Sequence, residues 1–561
     1  MATTKHRSRS GGFPAPVDGN RKMVKIRTRT PPVLRSVAIA CETIPERPQP
    51  TVVAEGRGRT VHSCYQGGVV PTPYPYYALV GLIFLPAIGA AATAKQCPAE
   101  LAAEEPALPL SIEQEAIDRG VLDFDDLRVH GERLFTTAFN RCDGAGRPHT
   151  TVAGDKRPLP TRSDEGEAIA SGQIARLRTS GPDSDACVIC HNLPETGGAG
   201  SFTTNAFVLA ETLDPVTLST SPSRSNSRNP PGLHGTGPIE ILAREMSEDL
   251  RWQAADLGDG EHVLETKGVR FSVEIAHGAV IRSEGVDRDL IIKPFTHAGS
   301  VVSLREFATS AMNQHFGMQA EERFDLNPDK GFDPDHDGDG IARELTIGDQ
   351  TAISVWQAQL STPTRVLPRD RTGRQRVRRG RRLFHDLGCA TCHMPALVLE
   401  TRLFVEPNPF NPPGTCAGAV DGCSEFTFDM TERGQPPRLE KLPGGRALVR
   451  AYTDLKRHNL CDEPGPDAIR YFCNEQLAQG RPDQDGRPGA EFFLTRRLWD
   501  VGTSGPYGHR GDIGTISEAI LFHGGEARAS RDAFASAPPG EQRAVVDFLK
   551  SLRVVPQRTQ R

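Results

Sequence analysis

The most informative stretch of this chain is RRGRRLFHDLGCATCH, at residues 378–393. Its first part predicts a short helix that ends at Gly388, because glycine often follows the last turn of a helix. Two cysteines and a histidine come directly after it: Cys389, Cys392 and His393. The C-x-x-C-H spacing places both thiols on one side of a helical turn, with an imidazole beside them.

A second copy of this spacing lies earlier in the chain, at Cys187, Cys190 and His191. Two thiols so placed can form thioethers with the vinyl groups of a haem, and the adjacent histidine then reaches the iron. A redox-active cysteine pair or half of a zinc site needs no histidine directly after the second cysteine. The two copies therefore predict two covalently attached haems, which are haem c groups.

A short run also repeats in front of each motif, as GERLF at residues 131–135 and GRRLF at residues 380–384. This faint repeat is consistent with two related haem domains. We expect a mainly α fold, with two cytochrome c-like haem domains, long loops and a small β insertion where residues 262–281 alternate as strands do. The predicted divisions are a leader at 1–94, an N-terminal haem domain at 95–330, an acidic loop at 331–348 and a C-terminal haem domain at 349–555.

Composition and charge favour a soluble, loop-rich globular protein. The 561 residues are 37% hydrophobic and 24% charged, with 45 prolines and 55 glycines. A formal net charge of −5 does not direct the folded part of the chain towards nucleic acid. The local basic excess at residues 374–382 is interpreted as solvated surface.

An apolar segment at residues 77–94 indicates export. It reads YALVGLIFLPAIGAAATA, is interrupted by Pro86 and ends in the small-x-small pattern of a signal peptidase site. We expect cleavage after Ala94 and a periplasmic protein. An uncleaved membrane anchor or a buried helix are the alternatives, and only the anchor would attach the protein to a membrane.

Six cysteines after Ala94 lie outside the two motifs. In an exported chain they are expected to form disulfides, and the predicted pairs are Cys97–Cys142, Cys416–Cys423 and Cys461–Cys473. Free buried thiols are the alternative.

Several stretches resemble the di-haem oxidoreductase family, which is related to bacterial di-haem cytochrome c peroxidases. They are GRRLFHDLGCATCHMP, NQHFGMQAEERF, DPDHDGDGIARELTIGD and LWDVGTSGPYGHRGDIGTISEAILFHGGEA. The resemblance runs from about residue 125 to residue 552. It implies that the N-terminal haem is reactive and that the C-terminal haem passes electrons to it.

The resemblance also implies a distal ligand for the C-terminal haem, on a helix after the Pro-Tyr-x-His segment that ends at His509. His523 stands where the peroxidases have methionine, so His393 and His523 are the predicted ligand pair. A loop histidine beside two glycines is the alternative. The chain departs from the family at His458-Asn459-Leu460, where His-Asp-Met is common, and at Arg510, where aspartate is usual.

Ligands and proton donors at the N-terminal haem are less defined by sequence. No histidine occurs between His191 and His234, so the iron is either open or bound by a more distant group. His315 and Met318 are the candidates, although a methionine at helical spacing is more often part of the core. His234 and Glu245 are candidate acid–base groups for O–O cleavage; a solvated glutamate is the alternative for the latter.

An acidic loop between the two motifs has the spacing of an EF-hand calcium site. Its candidate ligands are Asp333, Asp335, Asp337, Asp339 and Glu344. Clustered aspartates repel one another without a cation, so we expect bound Ca²⁺. A surface turn rich in aspartate and glycine is the alternative.

Two functions remain open from sequence. The first is a peroxidase-like oxidoreductase that takes electrons from a small redox donor protein, a cytochrome or cupredoxin, and reduces a small oxidant such as peroxide. The second is a non-catalytic di-haem electron-transfer cytochrome. Nucleic acid is not an expected partner.

Overall fold

The computed structural model describes ten stretches of the chain, all within the unit Pro75–Arg561. They are residues 91–146, 184–200, 204–206, 226–327, 331–332, 335, 340–417, 423–473, 489 and 491–556. The α-helices of these residues are α1 (Gln114–Asp118), α2 (Phe124–Thr136), α3 (Cys187–Cys190), α4 (Thr236–Ala255), α5 (Leu304–Ala311), α6 (Ile347–Ala358), α7 (Arg371–Asp386), α8 (Ile516–Leu521), α9 (Arg528–Ser536) and α10 (Pro539–Lys550).

Strands within the described residues form small antiparallel sheets. The pairs and triplets are β1 (Ala92–Ala94) with β2 (Leu110–Ile112); β3 (Thr204–Ala206) with β4 (Asn226–Arg228); β5 (Gly260–Thr266), β6 (Val269–Ala276) and β7 (Ala279–Ser283); β8 (Leu326–Asn327) with β9 (Gly331–Phe332); β10 (Thr364–Arg365) with β18 (Leu552–Arg553); β11 (Leu397–Leu399), β15 (Ala447–Val449) and β14 (Glu440–Lys441); β12 (Leu403–Glu406) with β13 (Phe426–Asp429); and β16 (Arg457–Asn459) with β17 (Phe492–Leu494).

The expectation of a mainly α fold is wrong. Helices account for 35% and strands for 17% of the described residues, in several sheets. Most of these strands are two to four residues long, too short for an alternating pattern to be visible in the sequence. They form because loops between the helices satisfy their backbone hydrogen bonds by pairing with one another. The alternation at residues 262–281 does form strands, within β5–β7.

Two helix pairs carry the repeated GxxLF run, and both pairs pack in the same way. On α2, Gly131 lies so close to Ala352 and Trp356 of α6 that a side chain would overlap them. On α7, Gly380 has the same relation to Ala544 and Phe548 of α10. Each glycine therefore lets two helices approach closely in front of a C-x-x-C-H motif. The GxxLF repeat of the sequence thus corresponds to a repeated helix packing in the tertiary structure.

Three disulfides join the six cysteines after Ala94 that lie outside the motifs, and all three predicted pairs are confirmed. They are Cys97–Cys142, Cys416–Cys423 and Cys461–Cys473, with Cα–Cα distances of 4.4, 6.1 and 4.9 Å. The four motif cysteines form no disulfide. Their thiols are therefore available for another attachment.

The end of the predicted signal segment is part of the fold. Residues 77–90 lie outside the described residues, whereas Ala92–Ala94 form β1. Cleavage after Ala94 would remove this strand from its partner β2. Within the described ranges, no helix is long and apolar enough to cross a membrane.

A buried ionic network joins three parts of the core. Arg305 on α5 donates through Nε to Glu406 Oε1 at 2.5 Å and through Nη1 to Glu322 Oε2 at 2.7 Å. All three side chains are nearly inaccessible to solvent. Removing one member of such a network leaves uncompensated buried charge, which costs far more than the loss of an exposed pair.

We therefore expect Arg305→Met to lower the free energy of unfolding by about 3–5 kcal/mol. Urea denaturation followed by circular dichroism measures the change. Arg282→Met is the matched control, because Arg282 pairs with Glu284 in solvent and should cost about 0–1 kcal/mol. Equal effects of the two substitutions would contradict the role given to the network.

Candidate haem sites

The first motif forms a single helical turn with a histidine at its end. In α3, Cys190 is buried and Cys187 is half-buried. His191 follows the turn, and its Nδ1 donates to the carbonyl of Pro231 at 3.0 Å. This bond fixes the tautomer and leaves Nε2 as the nitrogen that can bind iron.

The second motif begins where α7 ends. Gly388 adopts a left-handed conformation with φ of 83°, as helix-ending glycines commonly do. Cys389 and Cys392 lie on or beside the short 3₁₀ turn that follows. His393 donates from Nδ1 to the carbonyl of Tyr452 at 3.1 Å, so its Nε2 also remains available for a metal.

Each motif histidine packs against the phenylalanine of the preceding GxxLF run, with the same geometry. The rings of Phe135 and His191 are 6.2 Å apart and inclined by 50°. Those of Phe384 and His393 are 6.3 Å apart and inclined by 50°. Two separate segments of sequence thus build two equivalent histidine positions.

Burial keeps both histidines neutral and both first cysteines protonated. It lowers the pKa of His191 and of His393 to about 4. It raises the pKa of the Cys187 thiol to about 12 and that of Cys389 to about 11. Neutral imidazole is the form that binds iron, whereas a redox-active cysteine pair needs an accessible thiolate. The burial of these groups therefore favours haem sites over dithiol chemistry.

His523 lines the same cavity as the second motif. The cavity has a volume of about 400 Å³ and contains His393, His523 and apolar side chains such as Phe384 and Leu549. His523 donates from Nδ1 to the carbonyl of Ala519 at 2.7 Å, which leaves its Nε2 available as well. Burial lowers the pKa of His523, and burial, aided by the charge of His523, lowers that of His393.

The polar groups around this cavity fit a haem. Arg496 and Arg497 line it, and a haem has two anionic propionates that arginine recognises. Arg497 Nε is buried without a hydrogen-bond partner in the described structure. A buried, unsatisfied polar group costs about 1–3 kcal/mol, so a bound anion would stabilise it. The cavity, the two thiols, the two imidazoles and the arginines together match the groups of a haem c.

His234 lies in the segment that supports the first motif. Pro231 of this segment accepts a hydrogen bond from His191. The backbone N–H of Leu233 donates to the carbonyl of Gly197, just after the motif. The His234 Nδ1 donates to the carbonyl of Ser361 at 3.1 Å, and its Nε2 faces Glu195 Oε1 at 3.7 Å. Burial lowers the pKa of His234 even though the nearby Glu195 raises it. His234 is thus a buried neutral base next to a carboxylate.

Glu245, the second predicted acid–base group, bridges two parts of the fold. Its carboxylate pairs with Lys267 at 2.7 Å. It also accepts the backbone N–H groups of Glu400 and Thr401 at 3.0 and 2.9 Å. Proton transfer by Glu245 would disrupt these bonds, and its catalytic role stays a prediction.

The two candidate ligands after α5 lie in different environments. Met318 is fully buried within the main hydrophobic core. His315 is half-buried, and its carbonyl accepts the backbone N–H of Ser184, just ahead of the first motif. Burial and the hydrogen bond with Pro231 have the largest effects on the pKa of His191, and the charge of His315, which lowers it, has the next largest. Of the two, His315 is therefore the one that the fold brings near the first site.

Most of the predicted calcium loop lies outside the described residues, including Asp333, Asp337 and Asp339. Asp335 accepts the backbone N–H of Gly340 at 3.1 Å. Glu344 is buried, and its Oε2 accepts the backbone N–H of Gln319 at 2.7 Å. Calcium binding stays a prediction.

A charged cluster that sequence reasoning missed lies beside Cys392. The ring of His458 contacts Asp454 Oδ2 through Nε2 at 2.9 Å and Glu526 Oε2 through Nδ1 at 2.7 Å. Burial opposes protonation, but hydrogen bonds with Asp454, Cys392 and Glu526 raise the pKa of His458 to about 11. We assign no metal to this cluster, because a thioether at Cys392 would not supply a thiolate ligand.

The raised pKa of His458 predicts a pH-dependent stability. Because the pKa is about 11 in the folded protein and 6.5 for a free histidine, folding strengthens proton binding. The contribution to the free energy of unfolding is complete below a pH of about 6.5 and is lost as the pH rises towards about 11. We expect His458→Gln to flatten the pH dependence of urea unfolding in this window.

His385→Gln serves as the control for that experiment, because 79% of the His385 side chain is exposed. It should leave the pH dependence of unfolding as in the parent protein. If His458→Gln also leaves it unchanged, the ionic cluster does not hold its proton in the way described.

The other family departure, Arg510, is half-buried and is not part of the cavity wall. Its guanidinium lies 4.6 Å from the centre of the Tyr471 ring and pairs with Asp512 at 3.0 Å. The neighbouring His509 is buried and lines the cavity. Its carbonyl accepts the backbone N–H of Asn229 at 2.9 Å.

The chain thus has the features of a di-haem protein, because its two C-x-x-C-H motifs are built in the same way. Residues 444–552, which contain His458, His509 and His523, match the model of the family described as "Di-haem oxidoreductase, putative peroxidase". The family resemblance is confirmed for this part of the chain, and it supports a di-haem redox function with haem as cofactor. No curated protein matches the chain.

Two solved structures show distant similarity. Hydrazine synthase of Kuenenia stuttgartiensis is 13% identical in sequence, with a TM-score of 0.32. The match covers 89% of this chain and 100% of the hydrazine synthase chain. A MauG-like protein associated with microbial copper homeostasis is 14% identical in sequence, with a TM-score of 0.24. The match covers 56% of this chain and 89% of the MauG-like chain. Similarity at this level does not establish a shared fold or activity.

Proposed function

We propose that the protein is an exported di-haem c-type cytochrome oxidoreductase with peroxidase-like activity. Electrons would enter at the haem of His393 and be used at the haem of His191. The asymmetry between the two sites is the observation that carries this proposal. At the second site a half-buried histidine, His523, lies in the cavity of His393, whereas the buried His234, in the segment that holds the first motif, faces a carboxylate.

This asymmetry suits a division of labour. Two imidazole ligands suit an iron that only transfers electrons, while a base and a carboxylate suit proton transfer at a reactive iron. The haems supply one-electron redox chemistry. Peroxide reduction to two waters consumes two electrons and two protons, and His234, neutral with Nε2 directed at Glu195, is placed to accept and pass on a proton.

Covalent attachment is supported by the four motif cysteines, which are left out of the disulfides. Export is supported by the three disulfides themselves, because such bonds persist in oxidising compartments such as the periplasm. A small redox donor protein and a small oxidant such as peroxide are the proposed partners. Ca²⁺ at the acidic loop remains part of the proposal on the spacing of its carboxylates.

Low-temperature EPR of the purified ferric protein tests the proposal. The spectrum is recorded as isolated, after half-reduction and with added peroxide. A high-spin signal that responds to peroxide, beside a low-spin signal from the second haem, is the expected result. Two low-spin signals, of which half-reduction removes one without producing a high-spin signal and neither of which responds to peroxide, would instead identify a simple electron carrier.

A further inference from the structure

A groove lined by basic side chains runs along one flank of α7, the helix that leads into the second motif. It has a volume of about 550 Å³ and is lined by Arg365, Leu367, Arg378, Arg381, Arg382 and His385, among others. We refer to it as the arginine groove. The three α7 arginines are exposed to solvent.

The groove arginines differ from their neighbours on the same helix in lacking ion-pair partners. On the other flank of α7, Arg376 pairs with Asp547 at 2.8 Å and Arg379 pairs with Glu541 at 2.6 Å, both on α10. Within the described residues, Arg378, Arg381 and Arg382 make no such pair. The groove therefore presents a concentrated positive charge on a chain whose formal net charge is −5.

The walls of the groove are held in place by regular structure. Val377 and Phe384 anchor α7 in the hydrophobic cluster formed with α10. Arg365 is fixed by the β10–β18 ladder, where it lies opposite Leu552. Because both walls are parts of packed elements, the positive charges have a defined arrangement before any partner binds.

The groove also lies next to the groups that hold the second motif histidine. The ring of Tyr452 packs against Phe384 of α7, with ring centroids 6.1 Å apart. The carbonyl of Tyr452 accepts the Nδ1–H of His393. Phe384, only two residues after Arg382 on α7, packs 6.3 Å from the His393 ring.

We propose that the arginine groove is the docking surface for the acidic face of a small electron-donor protein. This inference rests on the proposed function, since it names where the donor of electrons binds. Opposite charges steer such encounters and orient the partners. Val366 and Leu367, 40% and 39% exposed, add an apolar margin of the kind that protein interfaces use. On docking, the donor loses one electron and the second haem gains it.

Stopped-flow electron transfer between the second haem and either acidic plastocyanin or basic cytochrome c tests this proposal, with the second haem reduced and the probe oxidised at mixing, because a haem with two imidazole ligands has a lower potential than either probe. The variant Arg378→Glu/Arg381→Glu/Arg382→Glu reverses the groove charge. The control Arg433→Glu/Arg438→Glu/Arg446→Glu makes the same change of net charge at three exposed arginines outside the groove. A small uncharged reductant checks that the second haem itself is unaltered.

For the acidic probe at low salt, we expect the groove variant to lose roughly tenfold or more of the bimolecular rate constant. The control should stay close to the parent protein, and added salt should narrow the difference. Equal losses in both variants would mean that only net charge matters, and would overturn the proposal. The docking surface would also be excluded if inorganic phosphate, at matched ionic strength, abolished the groove effect, because that result would identify a small-anion site.

Peroxide turnover with a small-molecule donor separates this inference from the proposed function. If turnover is absent while electron transfer to plastocyanin still depends on the groove, the peroxidase proposal fails and the docking surface stands. If turnover is present and the groove variant reacts with plastocyanin as the parent does, the docking surface fails alone.

Discussion

Replacing both cysteines of the second motif, as Cys389→Ser/Cys392→Ser, is expected to lower the covalently bound haem from two groups per chain to one. The thioethers would be lost with the thiols, while the first motif is built by other elements: α2, α3 and α6. The pyridine haemochrome assay after acid–acetone extraction measures the covalent haem. The reciprocal variant Cys187→Ser/Cys190→Ser should also retain one group.

Two further cysteine changes make the control for this experiment. Cys461→Ser/Cys473→Ser removes a disulfide without altering a motif. It should keep both haems, although loss of a native disulfide commonly costs about 2–5 kcal/mol of stability. If the motif variants keep two covalent haems, or if the disulfide variant loses one to the same extent, the assignment of haem attachment to the motifs would be wrong.

His523→Ala is expected to convert the second haem from a low-spin to a high-spin ferric form. His523 holds its Nδ1 on Ala519 and shares the cavity of His393, so its removal would leave that iron with one protein ligand. EPR and the optical spectrum of the ferric protein report the change directly. His523→Met should retain six ligands and raise the reduction potential, because a thioether favours ferrous iron more than an imidazole does.

The exposed His385 serves again as the control, since it is on the helix next to the second motif but faces solvent. His385→Ala should leave the spin state and the potential of the second haem unchanged. A His523→Ala protein that stays fully low-spin would show that another residue binds this iron. In that case the role of the cavity around His393 would have to be reassigned.

The proposed peroxide reactivity and electron transfer would place different demands on the two sites, and the two motif histidines have different neighbours. The polar groups that line the cavity of His393 include the imidazole of His523 and the guanidinium groups of Arg496 and Arg497. His315 is near enough to His191 to influence its pKa, and His234 faces Glu195 in the segment that holds the first motif. The haem-loss experiment tests covalent attachment at the motifs, and the spin-state experiment tests the ligands of the second haem.

The sequence by itself determined the local chemistry of the protein. The C-x-x-C-H spacing predicted two motifs whose cysteines stay out of disulfides, and the remaining cysteines predicted three pairs that the structure confirms. The GxxLF run in front of each motif predicted a repeat. The motifs and the repeat were readable because each depends on residues that are close together in the chain, and the disulfide pairs were predicted by joining cysteines that are neighbours in the sequence.

Only the tertiary structure decided which distant groups meet at each site. Glu195 faces His234, and Asp454 and Glu526 hold His458. No spacing rule links these residues, because their contacts arise when separate loops pack together. The same reason explains the error in fold class: strands of two to four residues form through pairing with remote segments, which leaves no periodic signal in the sequence.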